Sequence, residues 1–362
     1  EVLSETEPEA GQDVYLTVDR DLQVGIYHLI EQQLAGILTG KIVNQGDEVN
    51  EGRDSSSRVI PVKDAYFQLI NNNVLNMSHF FADDASEVEK GIASTFLSSK
   101  ERIMGDIRAE LYSSHPTPLK DLPRDMYAYM LYIKTYLQDP TIGILAADSE
   151  MDREDPAYAG WRDETISLRE YLYAGIANTW IDTTKLETGS KYSNADDIYS
   201  VLVEYVLTEL EDNTAFHKKI YQYLIEDNVI TGRDLCLALY DQGVLAYDES
   251  EINNLRANGP NYAYTFIKNK IASLEITPAQ LALEPCTAGC VVTDVNTGEV
   301  LALVTYPSYD NNRLSGTMDS AYYTQLLNDL SNPLYNNATQ ALKAPGSTFK
   351  PITAVAALEE GV

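Results

Sequence analysis

The chain has 362 residues, which is long enough for two domains, and its apolar content of 44% is that of a folded protein. The formal net charge of −29 argues against nucleic acid as a partner, because most of this surface would repel phosphate groups. No apolar run approaches the length of a membrane helix, and the first residues do not follow a signal-peptide pattern.

The amino-terminal part predicts a strand followed by a helix. Residues 1–12 are acidic and are expected to be disordered or a linker. Residues 13–18 (DVYLTV) are rich in β-forming side chains and predict a short strand. Asp19 is a candidate N-cap for a helix, because the apolar residues that follow it recur at helical spacing.

A long helical region follows a polar stretch at 44–58, which we interpret as a linker. Two capping boxes predict further helices, one after Thr231 and one after Thr277. The tyrosines are expected to serve packing, and no internal repeat is evident. Segments with apolar residues three and four apart predict helices at 64–75, 103–112, 126–137, 165–180, 198–210 and 217–225.

The last part of the chain changes character. Two β-rich runs, 290–294 and 300–304, flank the turn sequence VNTGE and predict an antiparallel hairpin. A helix rich in Tyr and Leu is expected next. The sequence PGSTFKP (345–351) then runs into an apolar helical stretch at 352–358.

The chain offers little sign of a metal site or a disulfide. Cys236, Cys286 and Cys290 are predicted as small buried apolar residues, and a strained Cys286–Cys290 disulfide is the less favoured alternative. The acidic series from Asp148 to Glu154 lacks the glycine of a calcium loop, which favours a solvated loop over a calcium site. We therefore predict no metal and no cofactor.

Ser347 and Lys350 are the residues whose spacing indicates chemistry. A serine hydroxyl needs a neighbouring base to become a nucleophile, and a lysine amine can act as that base when its charged form is disfavoured. In a helix that begins at Ser347, residues three apart share a face, so the amine would approach the hydroxyl. The alternative is that Ser347 is only an N-cap and Lys350 only a solvated first-turn residue.

A family resemblance favours the catalytic interpretation. The stretch TDVNTGEVLALVTYPSYDNN, followed by NPLYNNATQALKAPGSTFKPITAVAALEEG, closely resembles the transpeptidase domain of class B penicillin-binding proteins. The opening DVYLTVDRDLQ resembles the first strand and helix of the same domain. Together these segments make up about a third of the chain.

The resemblance implies an α+β fold. It would be a partial transpeptidase domain of the penicillin-binding-protein and serine β-lactamase type, with an incomplete antiparallel sheet plus helices and a large all-α insertion. The implied divisions are a linker at 1–12, the first strand and helix at 13–40, the helical insertion at 41–285, and the hairpin with the serine-motif helix at 286–362.

The implied activity is that of a peptidoglycan D,D-transpeptidase at the extracytoplasmic face of the membrane, anchored by an upstream segment. Ser347 would be acylated by peptidoglycan stem peptides and by β-lactams, with Lys350 as proton acceptor. Pro345 and Gly346 would shape the turn that presents the serine, and Asn337 stands where many relatives carry Arg. Wall-assembly proteins are candidate partners of the insertion.

Two elements that such enzymes need do not occur in the 362 residues. These are a Ser-x-Asn element and a Lys-Thr-Gly or Lys-Ser-Gly strand. Both chain ends are interpreted as cuts, so we expect the chain to be inactive as a separate molecule. The alternatives are a serine β-lactamase, a sensor that β-lactams acylate, and a non-catalytic scaffold that binds proteins through the insertion.

Overall fold

Helices make up most of the computed structural model, which describes residues 11–186 and 194–361. The predicted linker at 1–12 therefore lies mostly outside the described residues. The helices are α1 (Arg20–Lys41), α2 (Val62–Asn71), α3 (Glu87–Tyr112), α4 (Arg124–Gln138), α5 (Pro156–Arg162), α6 (Leu168–Ala177), α7 (Ala195–Asp212), α8 (Thr214–Glu226), α9 (Gly232–Asp241), α10 (Glu249–Ala257), α11 (Pro260–Ala272), α12 (Pro278–Leu281), α13 (Ser320–Leu327), α14 (Asn337–Gln340) and α15 (Lys350–Glu359). The strands are β1 (Ile42–Val43), β2 (Ile60–Pro61), β3 (Ala288–Thr293) and β4 (Val300–Tyr306).

The chain is thus a helix-rich α+β protein with two small sheets. β1 and β2 pair in parallel, whereas β3 and β4 pair antiparallel with Val291 opposite Leu303. The predicted hairpin is confirmed. Its turn is held by the Asp294 carboxylate, which accepts from two backbone N–H groups of the turn, and it closes through Gly298 at a φ of 77°.

The predicted strand at 13–18 is wrong, although the helix after it is confirmed. Asp19 caps α1 by accepting from the N–H of Leu22. In the described part of the chain, residues 13–18 form no backbone ladder with β4. The segment meets that strand through the Thr17 hydroxyl, which donates to the Val300 carbonyl at 2.6 Å, and through the N–H of Asp19, which donates to the Leu301 carbonyl at 2.8 Å. The apolar side chain of Val14 is 84% exposed, so no burial holds the segment in place as a strand.

The described residues divide into two compact units. One, the discontinuous unit, contains the described residues up to Gln68 and from Thr265 onward, and the central unit is Leu69–Tyr264. Buried apolar side chains of the discontinuous unit include Leu34, Leu38, Ile42, Val62, Phe266, Ile271, Leu281, Ala302, Val304 and Tyr306. Those of the central unit include Phe80, Ile107, Leu111, Tyr129, Ile133, Tyr199, Leu202, Phe216, Ile220 and Leu235.

Helix prediction succeeded where apolar residues recur at helical spacing. Four of the six periodic segments lie within helices, whereas 64–75 and 165–180 run past the ends of α2 and α6; the capping boxes at Thr231 and Thr277 are present. The first half of α3 was missed because it carries many polar residues, and α5, α10 and α11 were missed as well. Tyr129 of α4 is fully buried against Phe216, with ring centroids 5.5 Å apart, so its predicted packing role is confirmed.

An eight-residue helix-ending turn occurs six times in the described residues, at irregular spacing along the chain. The fifth residue of the turn has a φ near 60°, and its N–H donates to the carbonyl of the second residue. The N–H of the sixth or the seventh residue donates to the carbonyl of the first residue. The seventh residue is always Ile or Leu, and the eighth is usually the next N-cap. The turns start at Leu69, Gly160, Gly175, Leu224, Leu239 and Lys270.

The expectation that all three cysteines are buried holds for two of them. Cys236 and Cys286 are buried, Cys290 is partly exposed, and none of the three is in a disulfide. Burial raises the pKa of the Cys286 thiol to about 11. Among the helices of the described ranges, none has both the length and the apolar character that a bilayer crossing requires.

Candidate functional site

Helix α1 packs along the free edge of β4, the strand that precedes the segment with Ser347. The side-chain amide of Gln23 donates to the Leu303 carbonyl at 2.7 Å and accepts from the Leu303 N–H at 2.8 Å. A single side chain thus satisfies both backbone groups of one residue, as a neighbouring strand would. Tyr27 of the same helix packs on the buried ring of Tyr306, with centroids 5.2 Å apart. α1 is therefore fastened to the strand that precedes the site.

The segment ahead of the serine is held on the hairpin by a contact that we call the hairpin clamp, formed by Gly289, Thr305 and Asn337. The N–H of Asn337 donates to Thr305 Oγ1 at 2.9 Å, and its side-chain Nδ2 donates to the Tyr306 carbonyl at 3.3 Å. A Cβ atom on Gly289 would lie 2.8 Å from the backbone of Asn337. Only glycine fits there, because a larger residue would force the backbone of β3 and the backbone of α14 apart.

Ser347 and Lys350 lie at the two ends of one short turn. Gly346–Phe349 is a 3₁₀ helix, which we call the serine turn, and α15 begins only at Lys350. The N–H of Lys350 donates to the carbonyl of Ser347. In a 3₁₀ turn the side chains at positions i and i+3 eclipse each other, so the two functional groups share a face. Gly346 has a φ of 56°, which favours glycine at this position.

Both side chains are exposed. Among the described residues, no hydrogen bond to Ser347 Oγ or Lys350 Nζ is present. The described part of the chain therefore does not enclose Ser347 and Lys350. The two residues face solvent from the same turn.

The apolar side of α15 is exposed too. Ile352, Val355 and Leu358 are 58%, 56% and 77% exposed, respectively.

The central unit contains one notable cluster of titratable groups. The carboxylate of Glu89 is buried and lies 2.7 Å from His79 Nδ1, while Gln242 donates to it at 2.9 Å. The hydrogen bond to Glu89 raises the pKa of His79. Burial alone would raise the pKa of Glu89, yet its hydrogen bonds with Ser86, Gln242 and His79 outweigh burial and lower it. No group of three or more metal-binding side chains occurs in the described ranges.

Residues 288–362 match the model of the penicillin binding protein transpeptidase domain. The segment belongs to that family. Residues 288–362, which we call the penicillin-binding-protein segment, include both strands of the hairpin, the clamp, the serine turn and α15. The predicted resemblance of the hairpin and the serine-motif stretch to this family is thereby confirmed.

Similar proteins are named peptidoglycan D,D-transpeptidases. The peptidoglycan D,D-transpeptidase MrdA of Escherichia coli (strain K12) is 39% identical over 127 residues, which cover 33% of this chain and 20% of that protein. MrdA of Haemophilus influenzae is 41% identical over 129 residues, with the same coverage of both chains. The peptidoglycan D,D-transpeptidase PbpA of Mycolicibacterium smegmatis is 43% identical over 81 residues, 21% of this chain and 16% of that protein.

The chain spans about a fifth of the length of the first of these relatives. No solved structure matches it. Both predicted site residues, Ser347 and Lys350, lie inside the penicillin-binding-protein segment, where the structure brings them into one turn. The roles of Gly289 and Thr305 were missed. The available signal was a glycine inside a predicted strand, which often marks a close backbone approach.

Proposed function

We propose that the chain is part of a peptidoglycan D,D-transpeptidase that works through an acyl-serine intermediate at Ser347. The observation that carries this proposal is the serine turn. Within a segment of the penicillin-binding-protein family, it presents a serine and a lysine on one face and is entered through a glycine with positive φ. The relatives that share this segment are named peptidoglycan D,D-transpeptidases, which supports the same substrate class here.

The proposed reaction has two steps. In the first, Ser347 Oγ attacks the carbonyl carbon of the penultimate D-Ala of a stem peptide, and its proton passes to the amine of Lys350. The peptide bond breaks, and the terminal D-Ala leaves with that proton as a free amine. In the second, the amine of another strand attacks the ester, a new amide forms, and Ser347 recovers a proton. β-Lactams would acylate the same oxygen by opening their ring.

The 362 residues are proposed to form only part of the site. A Ser-x-Asn element and a Lys-Thr-Gly or Lys-Ser-Gly strand do not occur among them, so no group in the chain supplies those functions. We propose that both are supplied outside these residues, and that the chain alone is not acylated. The exposure of Ser347 and Lys350 supports this, because an acylation site excludes water from its reacting groups.

The proposed organisation follows the family. Residues 13–40 and 286–362 would belong to the transpeptidase domain, residues 41–285 would be a helical insertion into it, and an upstream segment would anchor the protein at the extracytoplasmic face of the membrane. The discontinuous unit supports this organisation, since it combines the beginning of the chain with its end. The central unit, Leu69–Tyr264, lies inside the proposed insertion, whose outer parts, 41–68 and 265–285, belong to the discontinuous unit. Wall-assembly proteins are the partners proposed for the insertion.

Labelling with a fluorescent penicillin tests the proposal. We expect a chain of the same gene that includes both further elements to be labelled, and Ser347→Ala to abolish labelling. Ser315→Ala is the matched control, because Ser315 is an exposed serine of the same segment, and it should label normally. Absence of label on a folded chain that contains all three elements would refute the proposed function. Rapid loss of the label through hydrolysis would indicate a β-lactamase instead.

A further inference from the structure

The hairpin clamp is the last place at which the described chain is packed before the serine turn. α14 contacts both β3 and β4. From Leu342 to Phe349 every residue is exposed, and α15 buries no side chain. Among the described residues, α14 is thus the packed element that precedes the serine turn and sets where the chain enters it.

Thr305 is the centre of this contact. Its hydroxyl accepts from the N–H of Asn337 at 2.9 Å and donates to the carbonyl of Tyr335 at 3.4 Å. One side chain on β4 therefore bonds to the backbone on both sides of Asn336, the N-cap of α14. The second bond is long and the first is short, so the Asn337 N–H is the principal attachment.

Gly289 sets how closely α14 approaches the sheet. It lies opposite Thr305 in the hairpin, and the Cβ of any other residue would come within 2.8 Å of Asn337 O, Asn337 C and Ala338 N. Any larger residue would push α14 away from the hairpin, because the atoms that it meets are all backbone. That shift would pass along the exposed stretch to the serine turn.

We propose that Gly289, Thr305 and Asn337 are positioning residues that set where the Ser347 hydroxyl stands relative to the hairpin. The proposal rests on the proposed function of Ser347. The clamp fixes α14 by one short hydrogen bond and one glycine-dependent approach, and α14 in turn fixes the start of the segment that carries the nucleophile. A displacement of the order of an ångström is enough to slow an enzymatic step by about 10²-fold.

The experiment compares Thr305→Val with Thr305→Ser in a chain of the same gene that includes the further transpeptidase elements. Val keeps the shape of Thr but cannot accept the Asn337 N–H, whereas Ser keeps the hydroxyl. Stopped-flow acylation by a fluorescent penicillin separates the first-order acylation rate from the dissociation constant of the non-covalent complex. We expect Thr305→Val to lower the acylation rate by about 10- to 100-fold at a similar dissociation constant, and Thr305→Ser to restore most of it.

Gly289→Ala gives a second test, with an expected loss at least as large as that of Thr305→Val. Hydrogen exchange of the Asn337 amide, measured on the 362-residue chain, reports on the clamp without any need for activity. Faster exchange in Thr305→Val but not in Thr305→Ser is expected. Normal exchange or a normal acylation rate in Thr305→Val would overturn the positioning role. If wild type itself is not acylated while the exchange results hold, the proposed function fails and the clamp is only structural.

Discussion

Gln23 provides the sharpest test of how the discontinuous unit is held together. Its amide makes two hydrogen bonds with the backbone of Leu303, at 2.7 and 2.8 Å. Gln23→Ala would remove both and leave the N–H and the carbonyl of Leu303 without these partners. At about 1 kcal/mol for each partly buried bond, the local opening free energy of β4 should fall by about 2 kcal/mol. The Leu303 amide should then exchange about 30-fold faster.

Gln23→Glu distinguishes these hydrogen bonds from simple packing. The ionised carboxylate keeps an acceptor for the Leu303 N–H but places a second oxygen against the Leu303 carbonyl. The folded state should favour the protonated acid, which can donate again, so the pKa of this Glu should be raised in the folded protein. Its stabilising effect would be present at acidic pH and lost as pH rises through the raised pKa. Stability relative to wild type should therefore recover towards acidic pH.

The assay must report on the discontinuous unit. Trp161 and Trp180 both lie in the central unit, so tryptophan fluorescence reports on the wrong part of the chain. Hydrogen exchange resolved at β4 reports directly on the Gln23 bonds. Gln33→Ala is the matched control, because Gln33 is exposed on the same helix. Equal exchange of the Leu303 amide in Gln23→Ala and Gln33→Ala would refute the reasoning.

Three further predictions concern the central unit and can be followed by tryptophan fluorescence during urea unfolding. Thr179 is exposed at a φ of 58°, where a β-branched residue is strained, so Thr179→Gly should raise stability by about 1 kcal/mol. Thr208→Gly, at an exposed position inside α7, should instead lower stability by about 0.3 kcal/mol. The hydroxyl of Tyr221 is buried and has no hydrogen-bond partner among the described residues. Tyr221→Phe should therefore leave the free energy of unfolding unchanged or raise it by up to about 1 kcal/mol, and a clear decrease would contradict this. The hydrogen bond between His79 and Glu89 raises the pKa of His79 and helps to lower that of Glu89. The contribution of His79 to stability should therefore be complete below about pH 6.5 and disappear as pH rises through its raised pKa, whereas the contribution of Glu89 should disappear as pH falls through its lowered pKa. His79→Gln should flatten the upper part of this stability profile, and an unchanged profile would refute the role of the pair.

Local signals explain what could be predicted about the fold. Asp19 and Thr231 each cap a helix, since a short polar side chain satisfies an N–H of the first turn whatever the tertiary surroundings are. A strand depends on a partner, and for this reason the β-rich composition of 13–18 was misleading. The recurrent turn escaped notice because it is defined by a backbone conformation. Asn73, Thr179 and Leu274 all adopt it, and they share no side-chain chemistry.

The same division holds at the site. Ser347 and Lys350 are three residues apart, so their proximity follows from any helical turn and could be predicted from the sequence. The clamp could not, because Thr305 and Asn337 are 32 positions apart and their contact depends on how α14 packs on the hairpin. The predicted start of the helix at Ser347 also needs refinement. A 3₁₀ turn comes first, and the α-helix begins at Lys350 with Pro351 in its first turn.

The central claim is that Ser347 is the residue that forms the acyl intermediate. Mass spectrometry of the penicillin-treated protein, on a chain of the same gene that includes the further transpeptidase elements, tests it directly. We predict one penicilloyl adduct, located by peptide fragmentation at Ser347, and no adduct in Ser347→Ala or on the 362-residue chain alone. An adduct at another residue, or a folded protein that carries none, would contradict it.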